Sequence, residues 1–401
     1  METSNAELLV LGLGGTVDYE ISWNNDVFQE LVDSYSIKIH DVVKSEVIRS
    51  ERELVCTVLA CLLHSTGGET QVESSEIVKS FSARFEKEIT LGGTGVRAAI
   101  AMRKFGITTT QHLVSIDDNV RRLLPEGSKY VCSADTDSFD PHLIIQFNPS
   151  AAVNVGEKLI QPSKADRIIL TCDPPNEILL ISPELKDILP NAHVFLISGF
   201  NSIHEREILE SRLEQVKTAS THLADKGLIF FEDAGYHRPE FREIVMKNIS
   251  QYCHFFSMNE EELQNYLDRK VDFTNAQSVV EALEAIRSVV KVPNLIIHTK
   301  AWSVMLGANS KDYEATLFSG MAMATTRYVY GDAFTVENFA STKALPRNIG
   351  ALSIASVVND RLGQTGLLVP AFEVECASPT TIGLGDSFVG GFLLELSTKL
   401  R

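Results

Sequence analysis

Short apolar runs recur along the second half of the chain, at residues 168–172, 194–198, 228–231, 253–256 and 295–299. Runs this short and this uniformly apolar read as strands buried on both faces. Longer stretches of helical character separate them, at 205–225, 240–249, 261–267 and 278–290. That alternation predicts an α/β fold with a largely parallel sheet and helices on both faces. In such a sheet, ligands gather beyond the carboxyl ends of the strands. Near the start, residues 8–13 read as a first buried strand running into a Gly14-Gly15 turn. Residues 26–90 read as mostly helical, with a polar break at 65–75. The texture changes across 130–172. Two strands, 142–147 and 153–160, flank Asn148-Pro149-Ser150 and predict an antiparallel hairpin. A hairpin inserted in an α/β chain suggests a small lid that keeps water away from a reaction.

The last apolar run, 388–396, reads as a buried helix opened by the turn Gly383-Leu384-Gly385-Asp386. Unpaired amides at a helix start, backed by the helix dipole, form a cradle for an anion such as phosphate. A carboxylate at this place repels phosphate, so Asp386 asks for a reason. General-base work on a hydroxyl attacking phosphorus is one. A plain turn with Asp386 as N-cap is the other. Gly390-Gly391 inside the helix costs about 1 kcal/mol per glycine against alanine and points to close packing or a close ligand. A second glycine turn, Gly92-Gly93-Thr94-Gly95, also precedes a helical run and offers either amides and room for a substrate or simply a tight loop.

Several polar residues fall at expected strand ends: Asp18, Asn201, Glu232-Asp233, Asn259 and His298-Thr299. Asp18 suits sugar hydroxyls or a solvated turn. Mg²⁺ takes oxygen ligands and keeps waters, so Glu232 and the Asn259-x-x-Glu262 pair are candidates. The same pair is a capping-box pattern, and the two roles are compatible. His298 reads first as a structural histidine, and Trp302 as a core aromatic.

Composition narrows the classes. The chain has 401 residues, 44% hydrophobic, enough for one large or two ordinary domains. Its net charge of −17 disfavours non-specific nucleic-acid binding. Six cysteines lack zinc spacing and read as reduced thiols in a cytoplasmic protein. No apolar run reaches about 20 residues, so no membrane span is expected. Met1-Glu2-Thr3-Ser4-Asn5 lacks the basic and apolar regions of a signal peptide.

Taken in order, Ser198-Gly199-Phe200-Asn201, Phe230-Phe231-Glu232-Asp233-Ala234, Ser257-Met258-Asn259-Glu260-Glu261-Glu262-Leu263, Ile297-His298-Thr299-Lys300 and Gly383-Leu384-Gly385-Asp386-Ser387-Phe388 carry a resemblance. The chain resembles the ADP-dependent sugar kinases, the glucokinases and phosphofructokinases of the ribokinase superfamily. The N-terminal half matches through Thr16-Val17-Asp18 and Gly92-Gly93. The resemblance implies a ribokinase-like large domain at 1–14, 41–129 and 173–401, with a β-rich lid at 15–40 and 130–172. It implies Asp386 as catalytic base and the amides of Gly383, Leu384 and Gly385 as the anion hole. Asp18, Gly92, Gly93, Thr94 and Asn201 would face the sugar, and His298 and Thr299 the adenine side. Glu232, Asn259 and Glu262 would place hydrated Mg²⁺.

Two positions depart from the family pattern. Phe230 stands where the family carries a histidine two residues before the glutamate, and Thr94 stands where it carries Asn or Gln. Lys164 and Arg167 lie where the phosphofructokinase branch keeps basic residues for a substrate phosphate. The expected activity is transfer of the terminal phosphoryl of ADP to glucose or fructose 6-phosphate. Competing readings are an ATP-dependent kinase of the same superfamily and a non-catalytic homologue that binds nucleotide or sugar. A dehydrogenase-type nucleotide site is disfavoured, because Gly12-Leu13-Gly14-Gly15 lacks the dinucleotide spacing.

Overall fold

Nine strands form the main sheet of the computed structural model, which describes residues 9–376 and 379–400. From one edge the order is Gly366–Pro370, Trp302–Leu306, Asn294–His298, Phe255–Asn259, Leu228–Glu232, Val194–Ile197, Leu9–Leu11, Thr110–Leu113 and Lys129–Cys132. The seven from Asn294–His298 onward are parallel, and the first two are antiparallel additions. Successive side chains of the central strands enter opposite cores. Leu196, Phe230 and Phe255 pack on one face, while Phe195, Ile197, Phe231 and Phe256 pack on the other. That is why these strands are apolar throughout rather than alternating.

A second sheet of six strands runs Val47–Ile48, Gly68–Val72, Asp166–Thr171, His142–Phe147, Thr16–Ser22 and Glu88–Gly92. It has its own core, which includes Phe28, Leu59, Phe81, Ile145 and Ile168. This arrangement corrects several sequence expectations. The sequence places 41–129 in the large unit and reads 26–90 as mostly helical. Three strands within 47–92 instead pair in the smaller sheet, with the helices Glu51–His64 and Ser75–Ser82 between them. The run 168–172 belongs to this sheet and not to the main one. The expected hairpin of 142–147 with 153–160 does not form either. His142–Phe147 pairs with Asp166–Thr171 and Thr16–Ser22, while Val153–Val155 and Lys158–Ile160 pair with each other. Lys129–Cys132 extends the main sheet past the expected boundary at 130. Met1 to Asn5, read above for a signal peptide, and Leu8 lie outside the described residues.

The helix Leu384–Lys399 is apolar on nearly every side because it is buried between Thr94–Arg103 and Glu314–Tyr330. Gly390 lies against Ala98 and Ala101, and Gly391 against Ser319, Gly320 and Met323. The two glycines therefore serve helix packing, not a ligand. A Cβ on Gly391 would meet Met323 Cβ at 2.6 Å and Gly320 Cα at 3.0 Å. Gly391→Ala is therefore expected to lower the unfolding free energy by about 1–3 kcal/mol, as overpacked cores do. Urea denaturation measures it, and a variant as stable as the parent would refute the packing role.

Candidate active site

Gly383 turns the chain into the last helix with φ of +64°, a left-handed conformation natural to glycine. Leu384, Gly385 and Asp386 make the first helical turn. Gly383, not Asp386, occupies the N-cap position, so the plain-cap reading of the aspartate does not hold. The Asp386 carboxylate is 23% exposed and takes no hydrogen bond from another described residue. Its charged neighbour is Arg97, whose Nε lies 3.9 Å from Oδ2.

Arg97 escaped the sequence reading. It sits in Thr94–Arg103, a helix otherwise built from small and apolar buried residues. Its Nη2 donates to Asp18 Oδ2 at 2.9 Å, to Glu20 Oε1 at 3.2 Å and to Thr90 Oγ1 at 3.4 Å. Burial opposes its charge, but Asp18, Asp386 and Glu20 hold it protonated more firmly than an ordinary arginine. Arg327 approaches the same turn and donates Nε to Ile382 O at 2.7 Å. Burial, with Arg97 alongside, brings it down to about 10. A lone arginine in a run such as Val96-Arg97-Ala98-Ala99 was the available signal, since buried charges require partners.

Asp18 is neither in a turn nor solvated. It lies within Thr16–Ser22, 3% exposed, with Oδ1 accepting Thr16 Oγ1 at 2.7 Å. The Gly92 and Gly93 turn packs directly on it: a Cβ on Gly92 would stand 2.8 Å from Asp18 Oδ1. Gly93 then starts the Thr94 helix at φ +89°. Asp18, Gly92, Gly93 and Thr94 thus gather on the Asp386 side through Arg97. Asn201 falls in the short turn Phe200–Ser202 after a main-sheet strand. Lys164 is exposed and pairs with Asp166 at 3.8 Å. Register sets Arg167 opposite Gln146 and Asp18 opposite His142, four residues along the same strand. That separation is about 13 Å.

On the other side of the glycine turn stands His298. Its ring stacks on Phe388 with centroids 4.6 Å apart, and Nε2 lies 2.8 Å from Glu232 Oε1. Its Cε1 is 3.4 Å from where a Gly385 Cβ would be. Thr299 uses its hydroxyl to hold the turn to Ala301 and Trp302, and Trp302 is wholly buried. Phe230, in the histidine's place, packs on Phe255 and on Phe392 of the Asp386 helix.

Asn259 and Glu262 form the capping box. Asn259 Oδ1 accepts from the amides of Glu261 and Glu262, while Glu262 accepts Asn259 N at 2.7 Å and Nδ2 at 2.8 Å. Burial, then the charge of Asp233, pushes the Glu262 carboxyl well up. Burial likewise raises Asp233 to about 7, although the hydroxyls of Tyr266 and Tyr236 donate to it. Glu232 is different, because its Oε2 is buried and has no hydrogen-bond partner among the described residues. Among the described residues no three His, Cys, Asp or Glu side chains converge to hold an ion by themselves. One free carboxylate oxygen in an acidic neighbourhood fits a Mg²⁺ that keeps most of its waters, not a caged ion.

The conserved region of ADP-specific phosphofructokinase and glucokinase matches residues 8–339. Among curated protein sequences none matches. Of the solved structures, a hypothetical ADP-dependent phosphofructokinase from Pyrococcus horikoshii OT3 superposes with a TM-score of 0.81 at 16% identity, covering 99% of both chains. A phosphofructokinase from the same organism with AMP gives 0.79 at 15% identity, again over 99% of each chain. An ADP-dependent kinase in complex with fructose-6-phosphate and ADPβS gives 0.76 at 13%, over 99% of this chain and 95% of that one. The fold is that of these phosphofructokinase structures, and among the described residues no helix is long and apolar enough to cross a membrane. With a family match spanning most of its length, the chain belongs to the ADP-specific phosphofructokinase/glucokinase family and is an ADP-dependent sugar kinase.

Proposed function

We propose that the enzyme transfers the β-phosphoryl group of ADP to a hydroxyl of a hexose, releasing AMP. The observation that carries this reading is the Asp386 carboxylate: on the first turn of a helix, partly exposed and, among the described residues, free of hydrogen bonds. A base must be able to accept a proton, and this one is not engaged elsewhere. The acceptor oxygen bonds to the β-phosphorus, the bond to the bridging oxygen breaks, and AMP leaves with that electron pair. Asp386 takes the hydroxyl proton. The amides of Gly383, Leu384 and Gly385 hold the transferred group, aided by the helix dipole. Glu232 would hold hydrated Mg²⁺ through its free oxygen, with Asn259 and Glu262 behind it. When bound, the ion neutralises charge developing on the phosphates. Asn201 and the Gly92-Gly93-Thr94 turn are assigned to the acceptor, and His298 and Thr299 to the nucleotide side.

Glucose is the better supported acceptor. The basic pair expected to hold a sugar phosphate, Lys164 and Arg167, stands well away from Asp18, and Lys164 is already paired. The fructose-6-phosphate complex of a relative makes that sugar the necessary comparison. Six free cysteines support a reducing, cytoplasmic setting. Release of AMP from ADP, with glucose or fructose 6-phosphate and Mg²⁺, tests the reading beside parallel ATP reactions. ADP with glucose is expected to give the highest turnover. Faster turnover with ATP would reject the donor, and faster turnover with fructose 6-phosphate would reject the acceptor.

A further inference from the structure

The Arg97 guanidinium touches both structural units at once. Its helix is fastened to the Asp386 helix where Gly390 meets Ala98 and Ala101. Its Nη2 is held by Asp18 and Glu20, both on a strand of the smaller sheet. Those two carboxylates are fixed in turn, Asp18 by Thr16 and Glu20 by Thr90 Oγ1 at 2.6 Å. Toward Asp386 the guanidinium offers Nε at 3.9 Å, beyond hydrogen-bond length. The tight contacts thus go to the smaller sheet and the loose one to the base. That division leaves Asp386 able to receive a proton, while its nearest cation is placed by the lid.

We propose that Arg97 is a positioning residue that couples the seating of the smaller sheet to the orientation of Asp386. The inference rests on the kinase reading above. When Asp18 and Glu20 are seated, Nε stands beside Asp386 and steers its carboxylate. When the strand Thr16–Ser22 lifts, the guanidinium follows its tight partners and the base loses that orientation. Phosphoryl transfer with the lid open is thereby suppressed, which protects ADP from water as the acceptor.

Arg97→Lys tests this, because lysine keeps the charge but cannot span Asp18, Glu20 and Asp386 with one planar fork. Glu20→Gln is the second variant, weakening the lid-side anchor while Arg97 and Asp386 themselves are kept. Both are expected to reduce kcat at least tenfold for Arg97→Lys and several-fold for Glu20→Gln, with the KM for ADP unchanged. Arg97→Ala, if it folds, is expected to regain activity with added guanidinium ion. Hydrogen exchange is expected to rise in Thr16–Ser22 and Glu88–Gly92 of both variants. A kcat within twofold of the parent for Arg97→Lys would overturn the proposal, even with a lowered melting temperature. So would a fall in kcat with unchanged exchange, since Arg97 would then act on the phosphoryl group itself. An acceptor KM that drops while kcat holds would make Arg97 a mere competitor for Asp18. Should the unmodified enzyme transfer nothing from ADP to a hexose, the functional reading fails, and the exchange measurement still decides the coupling.

Discussion

Replacing Asp386 by asparagine is expected to lower kcat by about three orders of magnitude, the middle of the range for loss of a general base. The amide has the same shape and cannot take the acceptor's proton. Stability should change by no more than about 0.5 kcal/mol, because the site is partly exposed and away from special packing. Among the described residues Asp386 gives up the 3.9 Å pair with Arg97 and no hydrogen bond. The KM for ADP should stay level or fall, since a carboxylate beside the amides of the glycine turn repels the phosphates it must accommodate. A loss in kcat with binding kept identifies an interaction made in the transition state. Steady-state kinetics beside a urea melt separates the outcomes. Near-native kcat would remove Asp386 from the chemistry, and a large stability loss would make it a structural residue.

The main sheet was legible because its strands are buried on both faces. Runs such as Val194–Ile197 and residues 228–231 have no polar interruption, and the helix between them is long. The smaller sheet was not legible for the opposite reason. Gly68–Val72 and Glu88–Gly92 carry glycine, glutamate and threonine, and each lies between helices. Pairing partners 100 residues apart, such as Gly68 with Ile168 and its neighbours, leave no local signature. The same division applies to the site. The Gly383 turn and the Asn259 capping box are written in contiguous residues and could be read directly. Arg97, Asp18, Glu20 and Asp386 come together only through the fold, from a strand, a helix and the far end of the chain. His298 is intermediate. Its strand-end position was readable, but its engagement with Glu232 and Phe388 was not.

Alkali is expected to loosen the enzyme where the chain crosses between the sheets. His142, on a strand of the smaller sheet, sets Nε2 2.9 Å from Asp173 Oδ2, with Asp18 Oδ1 3.9 Å from Nδ1. Asp173 also takes Asn176 N at 3.2 Å and Nδ2 at 2.8 Å, and Asn176 Nδ2 reaches Gly15 O at 3.0 Å. Gly15 and Asp173 each lie on a segment that passes from one sheet to the other, so the network ties both crossings together. Burial opposes a charge on His142, but the hydrogen bond to Asp173 and the charges of Asp173, Asp18 and Glu69 raise it to about 9. A histidine raised in the folded state contributes stability that is fully present below about 6.5, its unfolded value, and lost as pH climbs through the folded value. The window is therefore from about 6.5 to about 9, and the loss is of order 3 kcal/mol. His237, raised by its hydrogen bond to Glu69 against burial, adds a slope of the same sign. Buried thiols do not enter, since burial pushes Cys253 up to about 12. Asp173→Asn separates the histidines, because His142 then loses its hydrogen-bonded carboxylate while His237 keeps Glu69. At pH 7 this variant should be less stable by about 3–5 kcal/mol, as when one member of a buried pair is removed. Between pH 7 and 9.5 its slope should be clearly shallower than the parent's, carried by His237 and by what Asp18 and Glu69 still lend His142. Urea unfolding of both proteins across that range decides the matter. A parent whose stability is flat to pH 9.5, or a variant as steep as the parent, would mean that His142 is neutral in the folded enzyme.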